Sequence, residues 1–131
     1  MKTIIAGSRS FKDYELLKDF LDGMQTTDSR ISEVVSGCAA GADKLGERWA
    51  EENGIPIKPF PADWEGLGKQ AGFRRNEKMD DYAEQLVAFW DGVSRGSKHI
   101  IKTAINKGLV TWVKMVPAAR MSPIYRLPKG L

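Results

Sequence analysis

Two glycine-rich loops carry the residues of this sequence that are best suited to chemistry. One spans Gly37 to Asp43, the other spans Gly92 to Ser97, and each precedes a predicted helix. Glycine lets a loop bring its backbone N–H groups close to a ligand. A helix N-terminus adds unpaired donors and the positive end of its dipole, and together these favour phosphate. Neither loop has the Gly-Lys-Ser/Thr of a Walker loop, and the first loop of the chain, Gly7 to Ser10, is not G-x-G-x-x-G.

Arginines near these loops supply candidate clamps for an anion. Arg9 follows the first predicted strand, where it can bind a phosphate or carboxylate in a bidentate manner or form an ion pair with Asp13 or another acid. Arg74, Arg75 and Asn76 form a polar run in a glycine-rich segment. We expect a second clamp there, with one of the two arginines left as solvated surface.

Three further side chains have a ligand-contacting interpretation and a structural one. Asp43, at the start of the second helix, is a helix cap or a ligand contact. Asp91, at the end of the fourth strand, contacts a ribose hydroxyl or base, or caps a turn. Trp64 lies in a loop at the same predicted edge, where it stacks on a base or anchors the loop.

The remaining reactive residue types do not form a site. His99 is the single histidine and Cys38 the single cysteine, so a zinc centre or a Cys–His pair lacks ligands and partners. We predict that His99 is an exposed surface residue and that Cys38 fills a tight turn. Trp49, Trp90 and Trp112 fall on positions predicted to face the core.

The elements that position these residues alternate between strands and helices. Helical spacing of apolar residues occurs over Asp13 to Met24, Ala42 to Trp49 and Ile100 to Ile105, with the weakest helix over Gly68 to Tyr82. The predicted strands are Lys2–Ala6, Glu33–Ser36, Ile55–Phe60, Gln85–Trp90 and Leu109–Val116. Near-continuous apolar strands alternating with helices predict an α/β fold, a Rossmann-like doubly wound sheet of about five parallel strands with helices on both faces.

In such a sheet the ligand binds beyond the carboxyl ends of the strands. All the loops described above follow strands, so we expect them to meet at one edge. The predicted ligand-binding residues are Gly7, Ser8, Arg9, Gly37, Gly41, Ala42, Asp43, Arg75, Asn76, Asp91, Ser94, Gly96 and Ser97.

Length and charge limit the class of protein. With 131 residues, one domain is expected, over residues 1–116, followed by a basic, proline-containing tail over 117–131. The net charge of +3 suggests nucleic-acid binding, but residues 114–131 hold four basic and no acidic residues. The rest of the chain has 16 basic and 17 acidic residues, so its net charge is −1.

The absence of several sequence features sets expectations for location and partners. No apolar run is long enough for a membrane helix, the start does not resemble a signal peptide, and a lone cysteine fits a reducing compartment. We therefore expect a cytoplasmic protein with a small nucleotide-like ligand, no cofactor and no metal. Nucleic acid and membrane are not expected partners, and a homo-oligomer is an expectation by fold analogy alone.

Several ordered motifs resemble the YspA/YpsA-related branch of the SLOG superfamily, over about residues 1–113. They are Gly7-Ser8-Arg9-Ser10-Phe11, Val35-Ser36-Gly37-Cys38-Ala39-Ala40-Gly41-Ala42-Asp43, Trp49-Ala50, Phe60-Pro61-Ala62-Asp63-Trp64, Gly68-Lys69-Gln70-Ala71-Gly72, Arg75-Asn76-Glu77-Lys78-Met79, Phe89-Trp90-Asp91-Gly92 and Ser94-Arg95-Gly96. The resemblance implies a Rossmann-like fold that binds a nucleotide or a nucleotide-derived ligand of the NAD or ADP-ribose type. The protein would act as a sensor or would process nucleotides.

Departures from the family pattern bear on catalysis. The superfamily includes the LOG phosphoribohydrolases, which carry a glutamate three residues after a Gly-Thr pair. Here the pair is Gly96-Ser97 and the matching position is Ile100. LOG-like hydrolysis of nucleoside 5'-monophosphates is therefore an alternative that needs a carboxylate from Asp43 or Asp91, and no catalytic residue is assigned. The superfamily also includes the DprA/Smf domain, so nucleic-acid binding through the basic tail is a further alternative.

Overall fold

The computed structural model describes residues 1–117, apart from the side chain of Lys69. The last described strand ends at Met115, and Val116 is buried against the sheet. The predicted tail over 117–131 lies, from residue 118 onward, outside the described residues. Among residues 1–117, no helix is long and apolar enough to span a membrane.

The described chain forms one sheet of five strands, all parallel, in the order β3-β2-β1-β4-β5. The strands are β1 Lys2–Gly7, β2 Glu33–Ser36, β3 Ile57–Pro59, β4 Gln85–Trp90 and β5 Val110–Met115. This confirms the predicted Rossmann-like α/β fold. β1 lies between β2 and β4, so the chain order reverses there, and a crevice opens beyond the carboxyl ends of β1 and β4.

Helices cover both faces of the sheet and enclose two apolar layers. The helices are α1 Tyr14–Met24, α2 Ala42–Glu52, α3 Trp64–Leu67, α4 Ala71–Tyr82 and α5 Arg95–Asn106, with a 3-10 turn at Gly68–Gln70. Ile5 of β1 packs with Leu17 of α1 and Trp49 of α2 on one face. Its neighbour Ile4 packs with Met79 of α4 and Ile100 of α5 on the other face. Successive side chains of β1 therefore pack into opposite apolar layers, because side chains alternate between the two faces along a strand.

The structure departs from the predicted elements mainly at the edges of the sheet. β3 has three residues rather than the six predicted over 55–60, and it carries two prolines next to or inside it. The short helix α3 was not predicted. The weak helix over 68–82 is present as the 3-10 turn and α4, whose buried residues include Ala71 and Met79.

Of the three tryptophans predicted to face the core, only Trp49 lies in it, and Trp90 is half-buried. Trp49 is fully buried, but Trp112 is 41% exposed because β5 is the edge strand and pairs only with β4 among the described residues. Its indole still has a structural role. Nε1 of Trp112 donates to Oε1 of Gln85 at 2.9 Å, and Nε2 of Gln85 donates in turn to Thr3 and to the carbonyl of Ser29.

Candidate functional site

A cavity of about 390 Å³ lies beyond the carboxyl ends of β1 and β4. Eight of the predicted ligand-binding residues line it: Gly7, Arg9, Asp43, Arg75, Asn76, Ser94, Gly96 and Ser97. The structure thus brings together residues that are separated by up to 90 positions in the chain. The other five, Ser8, Gly37, Gly41, Ala42 and Asp91, do not line this cavity, and each has a supporting contact instead.

Two helix N-termini meet at this cavity, and neither has a side-chain cap. α2 begins after Gly41 and α5 begins after Ser94, with no side-chain hydrogen bond at either cap. Within residues 1–117 the backbone N–H groups of Asp43 and Lys44, and those of Gly96 and Ser97, donate to no protein acceptor. Unpaired N–H groups and positive dipole ends at one place make a site suited to an anion.

Gly41 lets the first two loops approach each other closely. Its φ is +78°, and a Cβ there would lie 2.3 Å from the carbonyl oxygen of Ser8. The same oxygen accepts from the N–H of Ala42 at 3.3 Å, while the N–H of Ser8 donates to the carbonyl of Phe89. Ser8, Gly41 and Ala42 therefore hold the first loop against the start of α2 and the end of β4.

Gly37 makes room for a charged pair of side chains. A Cβ at Gly37 would lie 2.7 Å from Nη1 of Arg75 and 2.8 Å from Oδ2 of Asp43. Nη1 of Arg75 donates to the carbonyl of Gly37, and its Nε donates to Oδ1 of Asn76 at 3.0 Å. Arg75 is thereby held in place at the cavity wall, and of the two arginines predicted to supply a second clamp only Arg75 lines this cavity.

Asp43 is a buried carboxyl group at the cavity wall. It is 5% exposed, and Oδ2 accepts from the N–H of Ala39 at 3.2 Å. Burial raises the pKa of Asp43 to about 6, and this hydrogen bond and the positive charge of Arg75 only partly offset the rise. The Asp43 carboxyl, in the first turn of α2, therefore stabilises the loop that precedes this helix. A carboxyl group with a pKa of about 6 can both accept and release a proton near neutral pH.

Arg9 is an exposed cation at the cavity. Among residues 1–117 its guanidinium makes no hydrogen bond and no ion pair, although it lines the cavity. The alternative of an ion pair with Asp13 is wrong, since Oδ1 of Asp13 caps α1 by accepting from the N–H of Leu16 at 3.1 Å. Burial lowers the pKa of Arg75, but a guanidinium stays charged at neutral pH, so Arg75 is a cation at the cavity as Arg9 is.

Asp91 caps the turn between β4 and α5. Oδ1 accepts from the N–H groups of Val93 and Ser94 at 2.9 and 2.8 Å, and Oδ2 accepts from the hydroxyl of Ser94 at 2.8 Å. Partial burial acts to raise the pKa of Asp91, but these hydrogen bonds outweigh it and the pKa lies below its ordinary value. Of its two interpretations, the structure therefore shows the turn cap.

The prediction that His99 is a plain surface residue is wrong. α4 packs on α5, so the His99 ring stacks on Phe73, with centroids 4.3 Å apart, and Nδ1 lies 3.2 Å from Nδ2 of Asn76. Asn76 is 4% exposed and also donates from Nδ2 to the carbonyl of Gly96 at 3.3 Å. His99 thus supports Asn76 from behind the cavity, and its partial burial lowers the pKa of the imidazole.

Several lining residues were not predicted. Arg95 occupies the first turn of α5, and Ser10 follows Arg9, while Met79 and Ile100 form an apolar floor. The signal for Arg95 was its place directly after Ser94 in the second glycine loop. Ile100 is 2% exposed, so the position that carries a glutamate in LOG enzymes is here part of the apolar floor.

A second cavity of about 420 Å³ adjoins the first and shares Arg9, Ala39 and Arg75 with it. Its other lining residues are Gly37, Cys38, Ala40, Pro61, Ala62 and Trp64. Cys38 has φ +65°, a left-handed conformation that favours glycine. It occupies the tight turn expected from the sequence.

Comparisons with known proteins agree with this architecture. A family model described as the YspA, cpYpsA-related SLOG family matches residues 1–66. The chain is also similar to the Gene 61 protein of Mycobacterium phage D29. The two are 35% identical over 114 residues, which cover 82% of this chain and 91% of the phage protein. No solved structure matches the chain at a significant level.

Proposed function

We propose that this chain, which belongs to the YspA, cpYpsA-related SLOG family, binds a nucleotide or a nucleotide-derived ligand of the NAD or ADP-ribose type. Membership of the family suggests a nucleotide-related function for its Rossmann-like fold. In this proposal, phosphate occupies the first cavity. The protein then acts as a sensor of the ligand or as a nucleotide-processing protein.

One observation carries the proposal: two uncapped helix N-termini border the same cavity, and three arginines, Arg9, Arg75 and Arg95, line it. The backbone donors of Asp43, Lys44, Gly96 and Ser97 have no acceptor within residues 1–117. Arg9 supplies a free guanidinium, whereas Arg75 is already held by Gly37 and Asn76. Such donors bind phosphate strongly because the ligand oxygens replace water at groups that the fold leaves unpaired.

The predicted contact residues then take distinct roles. Arg9 and Arg75 bind the phosphate, and the hydroxyl of Ser97 contributes a further donor, since it has no hydrogen-bond partner among the described residues. Asn76 lies between Arg75 and the start of α5, where its amide can contact a ribose hydroxyl. Ser94 and Asp91 shape the loop rather than bind the ligand directly.

A thermal-shift experiment tests the proposal with nucleoside phosphates, NAD and ADP-ribose as probes. A ligand at about one hundred times its Kd stabilises the folded state by roughly 2.7 kcal/mol. We expect at least one probe to raise the Tm of the wild type, and Arg9→Ala to remove most of that rise. Arg30→Ala, at an exposed arginine away from the cavity, is the matched control. No shift with any probe, or an intact shift in Arg9→Ala, contradicts the proposal.

A second proposal is hydrolysis of a nucleoside 5'-monophosphate to base and ribose phosphate. The Asp43 carboxyl favours it, because it lines the cavity and its pKa is raised to about 6. Ile100 argues against the LOG arrangement, since no carboxylate stands at that position. Incubation with AMP, GMP and CMP followed by chromatography should release free base from the wild type and not from Asp43→Asn. Without released base, the activity is excluded for these three substrates.

A further inference from the structure

We infer that the second cavity holds the aromatic base of the ligand, stacked on Trp64, with the ligand extending past the two arginines into the first cavity. This inference rests on the proposed function, and it adds the orientation and the class of ligand. The ligand is a nucleotide that carries a base at one end, a diphosphate in the middle and a further ribosyl or phosphate group at the other end.

The two cavities are neighbours and have part of their lining in common. Arg9, Ala39 and Arg75 line both of them. Arg9 and Arg75 therefore lie at the junction, which is the boundary between the two cavities. A ligand that occupies both cavities would have its middle part next to these two cations. A diphosphate offers several acceptor oxygens over a short length, so it matches two guanidinium groups better than a single phosphate does.

The second cavity has the chemistry of a base pocket rather than of another anion site. Pro61, Ala62, Trp64, Ala39 and Ala40 contribute apolar surface to its lining, and among the described residues no carboxylate lines it. The first cavity, in contrast, presents hydroxyl, amide and carboxyl groups and the start of α5. Apolar walls with an aromatic ring and nearby guanidinium groups bind the π-face of a base without reading its edges.

Trp64 is placed so that its indole can serve as a stacking surface. The side chain is 52% exposed, although its far edge lies against α4. A Cβ added at Gly72 would lie 3.4 Å from Cη2 of Trp64, an ordinary contact distance, so the edge of the ring lies close to α4. Asp63 starts the short helix by accepting from the N–H of Gly66 at 2.9 Å. The ring is thus supported on one side and accessible on another.

Binding of two probes separates the base subsite from the phosphate site. ADP-ribose carries base and phosphates, whereas ribose 5-phosphate, used at millimolar concentration, carries only the sugar and the phosphate. We expect Trp64→Ala to weaken ADP-ribose roughly tenfold or more, because stacking is lost. The same variant should leave the affinity for ribose 5-phosphate within about twofold, since that probe does not reach the stacking surface.

Two further variants are controls for the Trp64→Ala experiment. Trp64→Phe keeps an aromatic face and should retain most of the ADP-ribose affinity. Leu67→Ala removes an exposed apolar side chain from the same short helix and should change neither affinity. Melting temperatures of all variants verify that each one is folded.

Three outcomes overturn the inference. Unchanged ADP-ribose affinity in Trp64→Ala means that the base lies elsewhere. An equal loss for both probes means that Trp64 anchors its loop instead of binding the base. If the wild type binds neither these two probes nor any probe of the thermal-shift panel, the proposed function itself fails, and this result is seen without any variant.

Discussion

At the scale of single residues, Gly37 is where the backbone and the side chains of the site come closest. The guanidinium of Arg75 and the carboxyl of Asp43 both occupy space that any larger side chain at this position would need. The atoms in conflict are the ends of flexible side chains rather than backbone. A substitution here should therefore displace the site more than it destabilises the fold.

The substitution Gly37→Ala tests this expectation. We expect it to lower the affinity for ADP-ribose about tenfold by moving Arg75 off the junction, with a stability cost below about 1 kcal/mol. Titration calorimetry and denaturant unfolding measure the two effects.

Gly23→Ala is the control, because a Cβ at this position in α1 meets nothing within 4 Å. It should leave affinity unchanged and add about 0.5–1 kcal/mol of stability. Unaltered binding in Gly37→Ala would show that Arg75 has no part in holding the ligand.

Titration of the Asp43 carboxyl should make the affinity for the ligand depend on pH. Its pKa is raised to about 6, so the carboxyl is neutral below that pH and anionic above it. An anion beside bound phosphate is repulsive, so the affinity for ADP-ribose should fall as pH rises from 5 to 7. The expected loss is roughly three- to tenfold, for a repulsion of about 1 kcal/mol. ADP-ribose is suited to the measurement because it has no phosphomonoester, whose own second pKa is about 6.

The control for the pH experiment is Asp43→Asn, which should bind with an affinity that is flat over the same range. A wild-type affinity that does not vary between pH 5 and 7 would contradict the assigned role. The free energy of unfolding should change with pH in the same direction as the affinity. Because the pKa of Asp43 is raised in the folded state, protonation favours folding at low pH, and this contribution is lost as the pH rises through about 6.

Residue types alone predicted the cations but not their partners. Arg9 and Arg75 were candidates because each lies at the edge where a ligand is expected, with an ion pair or solvated surface as the alternative, and both line the first cavity. The support of Asn76 by His99 depends on how α4 lies on α5, and single-sequence periodicity carries no information on that packing.

At the scale of elements, the second glycine loop explains why the start of α5 is left open. Ser94 occupies the N-cap position, a common place for serine. Its hydroxyl instead bonds to Asp91 at 2.8 Å and lies 3.2 Å from the hydroxyl of Ser8. The first-turn N–H groups are thereby left unpaired toward the cavity, so the turn that Asp91 caps is what keeps the helix end available.

The edge strand β5 gives a prediction on stability. Gln85 is fully buried, and the indole of Trp112 donates to its Oε1. Trp112→Phe removes that donor and leaves a buried acceptor unpaired, so we expect a loss of about 1–3 kcal/mol in denaturant unfolding. Trp64→Phe, at an exposed indole, should cost less than about 0.5 kcal/mol. Equal effects of the two substitutions would contradict the role given to the Gln85 hydrogen bond.

The inner strands were predictable and the outer ones less so. β1 and β4 are near-continuous apolar runs because helices cover both of their faces. β5 has the same composition, with Trp112, Val113 and Met115, yet these side chains are exposed at the edge of the sheet. An apolar β-branched run signals a strand but does not say whether neighbours cover it, and this is why Trp112 was wrongly placed in the core.

At the scale of the whole molecule, charge is arranged locally rather than as a general basic surface. The chain carries +3 overall, but four of its positive charges lie in residues 114–131. The rest is close to neutral and places Arg9, Arg75 and Arg95 at one cavity. This distribution favours one small phosphorylated ligand over a long polyanion, which needs a continuous basic face.

In the proposed function, phosphate binds in the first cavity between the N-termini of α2 and α5. NMR of the backbone amides tests this most directly. Titration of the ¹⁵N-labelled protein with ADP-ribose should shift the backbone amides of Asp43, Lys44, Gly96 and Ser97 more than those of β5. These four groups gain an acceptor that the protein does not supply among residues 1–117. Saturable shifts centred elsewhere, or four unmoved amides while the ligand is bound, would contradict the account.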